Sequence, residues 1–161
     1  MKDGVVQQID TPLNIYDKPA NTFVAGFIGT PPMNIFKGTL VSEGGKFVFK
    51  AGNSISIALP ADWNSAIESY VGKEILFGVR PEDIGSERAE SDASAPALTA
   101  KVDVREPMGA EIYLHLDTGV DTPCIARVEP HLDAKVGETI TLKLAMIGAH
   151  VFDPATTNRI V

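Results

Sequence analysis

The 161-residue sequence is poor in cysteine, in aromatic residues and in long apolar runs. Its single cysteine, Cys124, excludes an internal disulfide, so a secreted disulfide scaffold is disfavoured and a reducing compartment is expected. No apolar run approaches the roughly 20 residues of a membrane-spanning helix. The first four residues lack the basic-then-apolar layout of a signal peptide. We therefore expect a globular chain of one ordinary domain or two small lobes.

Basic residues are also scarce: 14 lysines and arginines face 21 aspartates and glutamates, for a net charge of −7. Such a balance repels a nucleic-acid backbone unless the basic groups cluster. The only stretch in which basic and aromatic residues interleave is 46–50. We expect no nucleic-acid partner.

Motifs of nucleotide and hydrolytic sites are missing. The two lysines that follow a glycine, Lys46 and Lys73, are followed by Phe and Glu, so no G-x-x-x-x-G-K-[ST] loop can cradle phosphates. G-x-S-x-G, H-E-x-x-H and C-x-x-C are absent, and no carboxylate pair stands out as an acid/base couple. The three histidines are far apart in sequence. No catalytic, nucleotide-binding or metal-ligating residue is assigned.

Two short helices are predicted near the N-terminus. Thr11 suits the cap of a helix that begins at Pro12. Asn21 or Thr22 suits the cap of a second helix that ends before Gly29. Helices this short are unstable alone, so their apolar faces must dock either on this chain or on something outside it. Both possibilities are open, and the i,i+4 apolar side chains of the second helix are Phe23, Val24, Phe27 and Ile28.

From Ile35 the apolar period changes from helical to two, as in half-buried β-strands. The alternating residues are Phe47 and Phe49; Ile55, Ile57 and Leu59; Leu98, Ala100, Val102 and Val104; Ile112, Leu114 and Leu116; Cys124, Ala126 and Val128; and Ile140, Leu142 and Leu144. Turn chemistry at Gly44-Gly45 separates two of these runs, and a helix is expected near 62–71. The pattern predicts a mainly β antiparallel barrel or sandwich. Residues 85–97 contain no large apolar residue and are predicted to be a solvated linker between two β segments, each a candidate lobe.

Several segments, in order, resemble one family. The run 3–29, with TP..IYDKPAN.FVAGFIG, is similar to the end of the ATPase domain of sugar-importing ABC transporters and the helical exit from it. The matching tags further along are Pro32-Met33-Asn34, the G-[IV]-R-P-E signature at Gly78–Glu82 followed by Asp83, the E-x-x-G-x-E turn at Glu106–Glu111, and the closing H-x-F-D at His150–Asp153. The chain thus resembles the C-terminal regulatory region, of TOBE or MOBE type, of a maltose, multiple-sugar or glycerol-3-phosphate ABC transporter ATP-binding subunit.

The resemblance implies an OB-like β-barrel or sandwich. Residues 1–32 would be the tail of an upstream nucleotide-binding domain and its helical linker. Residues 33–161 would be the regulatory domain, with segments 33–84 and 98–161 joined by linker 85–97. The chain would be non-catalytic and would hold no cofactor, because Mg-ATP would bind and be hydrolysed in the upstream domain. Where the family usually has a glycine after the closing segment, this chain has Thr157, which is expected to loosen the last turn.

The implied partners are a second copy of the chain, its own nucleotide-binding domain, the transporter membrane subunits and a cytoplasmic regulator. The implied location is the cytoplasm, at the inner face of a bacterial plasma membrane. The alternative function is a small-ligand module that binds an oxyanion or a sugar. No cluster of Ser, Thr and Lys in the sequence can be assigned to an oxyanion.

Two sets of candidate residues follow. The regulatory or interface candidates are Arg80, Glu82, Asp83, Glu106, Gly109 and Glu111. The inter-domain packing candidates are Phe23, Val24, Phe27, Ile28, Met33 and Asn34. Arg80 has two open interpretations: it pairs with a carboxylate, Glu82 or Glu106, and ties the two β segments together, or it contacts an effector or partner directly.

Overall fold

Nine β-strands form two antiparallel sheets, with four short helices around them, in the computed structural model, which describes residues 1–161. The helices are Pro12–Asp17 (α1), Thr22–Phe27 (α2), Asn64–Ile67 (α3) and Glu87–Ser91 (α4). The strands are Asn34–Glu43 (β1), Lys46–Ala51 (β2), Ile55–Ala58 (β3), Glu74–Val79 (β4), Ala97–Pro107 (β5), Ile112–Asp117 (β6), Cys124–Val128 (β7), Thr139–Lys143 (β8) and His150–Phe152 (β9). The prediction of a mainly β fold is confirmed. None of the helices has the length and apolarity needed to cross a membrane.

The two sheets share one core. Their strand orders are β3-β2-β1-β4-β9 and β7-β6-β5-β8. Strand β9 comes from the second β segment but pairs with β4 of the first, with Phe77 opposite Val151. A single cluster of 26 buried residues draws on both sheets. The two segments are therefore two layers around one core, and the expectation that each could form its own lobe is wrong.

Local turn and cap chemistry follows the sequence closely. The β1–β2 hairpin turns at Gly44-Gly45, where both residues have positive φ, +57° and +79°, as a tight hairpin turn requires. The Thr11 hydroxyl caps α1 and the Asn21 side chain caps α2. A helical segment made of α3 and the single 3₁₀ turns on either side of it covers residues 61–70, where a helix was predicted.

Two expectations fail. The apolar alternation breaks in β5 because the register shifts between Val102 and Val104, and Val104 is 45 % exposed instead of buried. Residues 85–97 are folded, not a free linker: Ser86 caps α4, Ala89 is buried, and the Glu90 carboxylate accepts a hydrogen bond from the Lys143 amide. A small alanine and polar caps can dock a short helix against a sheet edge, so large apolar residues are not needed there.

Candidate interface and regulatory sites

Arg80 leaves the end of β4 in an extended conformation, because Pro81 starts a 3₁₀ turn directly after it. The guanidinium, whose residue is only 3 % exposed, donates to the carbonyl oxygen of Tyr16 at 2.6 Å and to that of Ile28 at 2.8 Å. It also stacks over the Tyr16 ring, 3.7 Å from its centroid. These carbonyls lie at the ends of α1 and α2, where no intrahelical donor reaches them. One side chain therefore links the ends of both helices to the β unit.

This arrangement corrects the interpretation of Arg80. It forms no ion pair with Glu82 or Glu106, and the hydrogen bonds of its guanidinium are made within this chain. Burial lowers its pKa, while the charges of Asp83 and Asp17 oppose that shift. The positive charge is compatible with this site because two helix ends present partial negative charge to it.

The two acidic residues that follow Arg80 also form hydrogen bonds within this chain. The Tyr16 hydroxyl donates to the Glu82 carboxylate. Asp83 is buried and accepts a hydrogen bond from Arg88 at 2.5 Å, while its backbone carbonyl accepts from the Ala145 amide. Burial raises the pKa of Asp83, and Arg88 opposes the rise. Tyr16, Arg80, Glu82, Asp83 and His150 are called the Arg80 corner below.

His150 completes the Arg80 corner from β9. Its ring is buried and borders the same cleft as Asp17, at the end of α1, and Val161, at the C-terminal end of the sequence. Burial, helped by the positive charge of Arg159, lowers the pKa of His150 to about 4. The ring is therefore neutral at physiological pH.

The remaining interface candidates lie on an exposed surface, in contrast to the buried Arg80 and Asp83. Residues 106–111, the hairpin tip between β5 and β6, are largely open to solvent. Glu106 pairs with His115 at 3.2 Å and Glu111 with Arg127 at 3.4 Å, both on the surface. Gly109 has a φ of +92°, which favours glycine in this turn. The hairpin tip is largely exposed, whereas Arg80, Asp83 and His150 in the Arg80 corner are buried.

The inter-domain packing candidates also include both buried and exposed residues. Val24 and Met33 are buried, and Met33 packs with Ala25 and Phe152. The Asn34 side chain accepts from the Ile125 amide at 2.8 Å and donates to the Ile125 carbonyl at 2.9 Å, which joins the two sheets. These three residues are therefore buried within this chain and are not free to pack on a further domain.

Part of the helical segment stays uncovered. Phe27 is 71 % exposed and stacks on the half-buried Phe23, and Ile28 is also only half-buried. Ile9 and Leu13, which sequence reasoning did not select, are more exposed still. Helix α2 thus docks on this chain through Val24 and Ala25, which is one of the two alternatives. Docking of the exposed apolar side chains on something outside the chain stays a prediction.

Two family models match this architecture: the MalK OB fold domain over residues 29–84 and the TOBE domain over residues 77–152. The chain therefore contains a MalK OB fold domain and a TOBE domain. In this TOBE-type chain the two matches overlap at residues 77–84, which contain Arg80 and its neighbours. The TOBE match also contains the hairpin tip.

Relatives of this TOBE-type chain are ABC transporter ATP-binding proteins. It is 39 % identical over 163 residues to the oligosaccharides import ATP-binding protein MsmX of Bacillus subtilis, a match that covers 99 % of this chain and 43 % of MsmX. It is 37 % identical over 158 residues to the uncharacterized ABC transporter ATP-binding protein YcjV of Escherichia coli O6:H1, covering 97 % and 41 %. The chain therefore spans about two fifths of the length of these relatives and matches their C-terminal region.

A solved structure shares the fold. The cytoplasmic molybdate-binding protein ModG, with molybdate bound, superposes with a TM-score of 0.58 over 75 % of this chain and 96 % of ModG. The two sequences are 19 % identical, so the likeness extends to the fold alone.

Proposed function

We propose that this chain is the non-catalytic regulatory and dimerisation region of the ATP-hydrolysing subunit of an ABC-type sugar importer. The observation that carries the proposal is the match of nearly the whole chain to the C-terminal two fifths of MsmX, whose name describes oligosaccharide import. ATP hydrolysis and Mg-ATP binding belong to the region of the relatives that these 161 residues do not match. The chain contributes no phosphate loop.

The helical segment supports a mechanical role in that subunit. The Arg80 corner holds the ends of α1 and α2 on the β unit, so a movement of the helices is passed to the sheets. The exposed side chains of Ile9, Leu13 and Phe27 offer an apolar surface for the nucleotide-binding domain. Phe23 and Ile28 extend it.

The proposed partners are a second copy of the chain, its nucleotide-binding domain, the membrane subunits and a cytoplasmic regulator. The complex would lie at the cytoplasmic face of the membrane. Glu106, Gly109 and Glu111 at the hairpin tip are the proposed contact residues, because they are exposed while Arg80 and Asp83 are buried.

Sedimentation of the chain tests the dimer. We expect a concentration-dependent dimer that the double variant Glu106→Lys, Glu111→Lys weakens at least about tenfold. The variant Asp62→Lys, Glu68→Lys changes the net charge equally at two exposed residues of the helical segment 61–70 and should dimerise normally. A chain that is monomeric at every concentration contradicts the dimerisation proposal.

Two further measurements test the rest of the proposal. The full-length subunit, reconstituted with its membrane subunits, should hydrolyse ATP in response to an external sugar, and the hairpin double variant should alter that response while leaving nucleotide binding intact. Calorimetry of the chain with Mg-ATP should give no saturable heat. Micromolar binding of ATP by the chain would refute the assignment. So would a full-length subunit whose rate of ATP hydrolysis does not change with any sugar tested.

A further inference from the structure

Besides the Arg80 corner, the N-terminal helices have a second attachment to the β unit. Residues 157–161 lie between β9 and the start of α2, where Arg159 forms an antiparallel bridge with Phe152 and Asn158 forms one with Asn21. The sheet that contains β9 therefore continues through residues 157–161 to the residues that begin α2. Residues 157–161 are called the strap below.

The strap is firmly joined to β9. The Val151 amide donates to the Val161 carbonyl at 3.1 Å, and the Ile160 amide donates to the Val151 carbonyl at 2.7 Å. The side chains of Ile160 and Val161 pack against the main core. The strap is therefore a part of the β unit.

On its other side the strap binds the helices through the main chain. The Thr22 amide donates to the Thr157 carbonyl at 3.0 Å, and the Arg159 amide donates to the Ala20 carbonyl at 2.9 Å. These two bonds flank Asn21, whose side chain caps α2. The strap therefore holds the N-terminal end of α2.

Helix α2 is thus attached at both ends. Arg80 binds the Ile28 carbonyl at the C-terminal end, and the strap binds the Thr22 amide at the N-terminal end. A short helix attached in this way cannot tilt without displacing the strap or breaking its bonds. The strap is bonded in turn to Val151 of β9, which lies opposite Phe77 of β4. An unbroken series of main-chain hydrogen bonds therefore leads from α2 into the sheet.

We propose that the strap is a conformational coupling element, which passes movements of α1 and α2 to β9 independently of Arg80. The proposal rests on the proposed function, in which the nucleotide-binding domain contacts these helices and displaces them during ATP hydrolysis. The backbone of the strap is strained where it meets α2, because Thr157 has a φ of +64°. Strain of this kind persists only where surrounding contacts fix it, and it clusters in segments that switch conformation.

Thr22→Pro removes the strap contact selectively. Thr22 is the first residue of α2, a position that proline favours, and Asn21 is already extended, as a residue before proline must be. Helix α2 should therefore form, but without the hydrogen bond to Thr157. Hydrogen exchange of the chain, followed by NMR, should show the amides of Ala25 and Arg159 exchanging at least about tenfold faster, with Leu114 in β6 unchanged.

The matched control is Asn158→Ala, which removes an exposed side chain of the strap and keeps its main-chain bonds. It should exchange like the wild type. In the full-length subunit, reconstituted with its membrane subunits, Thr22→Pro should reduce the stimulation of ATP hydrolysis by sugar at least about twofold, with unchanged nucleotide affinity, and Asn158→Ala should not.

Three results would overturn the inference: unchanged exchange in Thr22→Pro, equally faster exchange in Asn158→Ala, or faster exchange in Thr22→Pro with an unaltered response to sugar. The last result would leave the strap as a structural attachment only. A wild-type subunit whose ATP hydrolysis does not respond to sugar overturns the proposed function instead. In that case, faster exchange confined to Thr22→Pro would still support the strap as the link between the helices and β9.

Discussion

The Arg80 corner and the hairpin tip use the same local sequence device and end in opposite environments. In each, a charged residue stands before a proline at the end of a strand: Arg80 before Pro81, and Glu106 before Pro107. Arg80 is buried beneath two helix ends, whereas Glu106 lies in solvent and pairs only with His115. The difference arises because the N-terminal helices fold over the first strand end and nothing in this chain covers the second.

The comparison changes how variants at the two sites should be interpreted. A loss of function after substitution of Arg80 would reflect release of the helical segment, since its contacts are internal. A loss of function after substitution at the hairpin tip would reflect a lost partner, because little of the fold depends on it. Five measurements test this distinction, in order of decreasing expected effect.

Substitution of Arg80 should have the largest effect. Arg80→Ala removes two charged hydrogen bonds and a cation–π contact from a buried position, so we expect a loss of about 3 kcal/mol in the free energy of unfolding. Arg80→Lys keeps the charge but not the planar fork, so it should lose about half as much. Urea unfolding measures both. An Arg80→Ala protein as stable as the wild type would show that the corner does not anchor the helices.

Substitution of Asn34 should have the second-largest effect on stability, because its side chain joins the two sheets beside the Arg80 corner. Asn34→Ala leaves the half-buried amide and carbonyl of Ile125 without their side-chain partner, for an expected loss of about 2 kcal/mol. The exposed Asn158 makes no side-chain hydrogen bond in the structure, and Asn158→Ala should change stability by less than about 0.5 kcal/mol. Equal, small effects of the two substitutions would rule out Asn34 as the link between the sheets.

His150 should make the stability of the Arg80 corner depend on pH. Its pKa is about 4 in the folded chain and near 6.5 when unfolded, so the unfolded state binds more protons between these values. Stability should therefore fall as pH drops from 6.5 towards 4, by about 2 kcal/mol after allowing for residual solvent around the ring. His150→Gln should remove this component. Parallel pH profiles of the two proteins would contradict the prediction.

Substitution of Thr157 by glycine should increase the stability of the folded chain. The residue has a φ of +64°, a left-handed conformation that costs a β-branched residue about 1–2 kcal/mol. Thr157→Gly should therefore stabilise the chain by up to about 1 kcal/mol, since some of the relief is offset by the freedom of glycine in the unfolded state. Thermal unfolding measures the gain. Thr156→Gly, at a neighbour with negative φ, should destabilise, and a loss at both positions would show that Thr157 is not strained.

The smallest effect is expected at the hairpin tip. Glu106→Gln removes an exposed pair with His115, so stability should change by less than about 0.5 kcal/mol. Dimerisation should weaken nonetheless if the tip is a contact surface, which sedimentation of the variant can measure. A stability loss in Glu106→Gln as large as that in Arg80→Ala would show that the fold depends on the hairpin tip as much as on Arg80.

Much of the fold was predictable from local patterns. The caps at Thr11 and Asn21, the glycine turn after β1 and the alternation of most strands all depend on neighbours a few residues away. The failures have a different origin. Val104 is exposed because of a bulge, and the bulge depends on how β5 pairs with β6. The hydrogen-bond partners of the Arg80 and Asn34 side chains lie 45 to 91 residues away, where no spacing rule reaches.

The sequence by itself determined the fold class, the positions of most strands and turns, and the family, because periodicity, glycine and proline act locally and the motifs are ordered along the chain. Only the tertiary structure decided that the two β segments share one core, that residues 85–97 dock as a helix, and that Arg80 is an internal anchor while Glu106 is exposed. These properties depend on which distant segments pack against each other in the folded chain. Whether a charged side chain is buried or free follows from what covers it, and that is a property of the assembled fold.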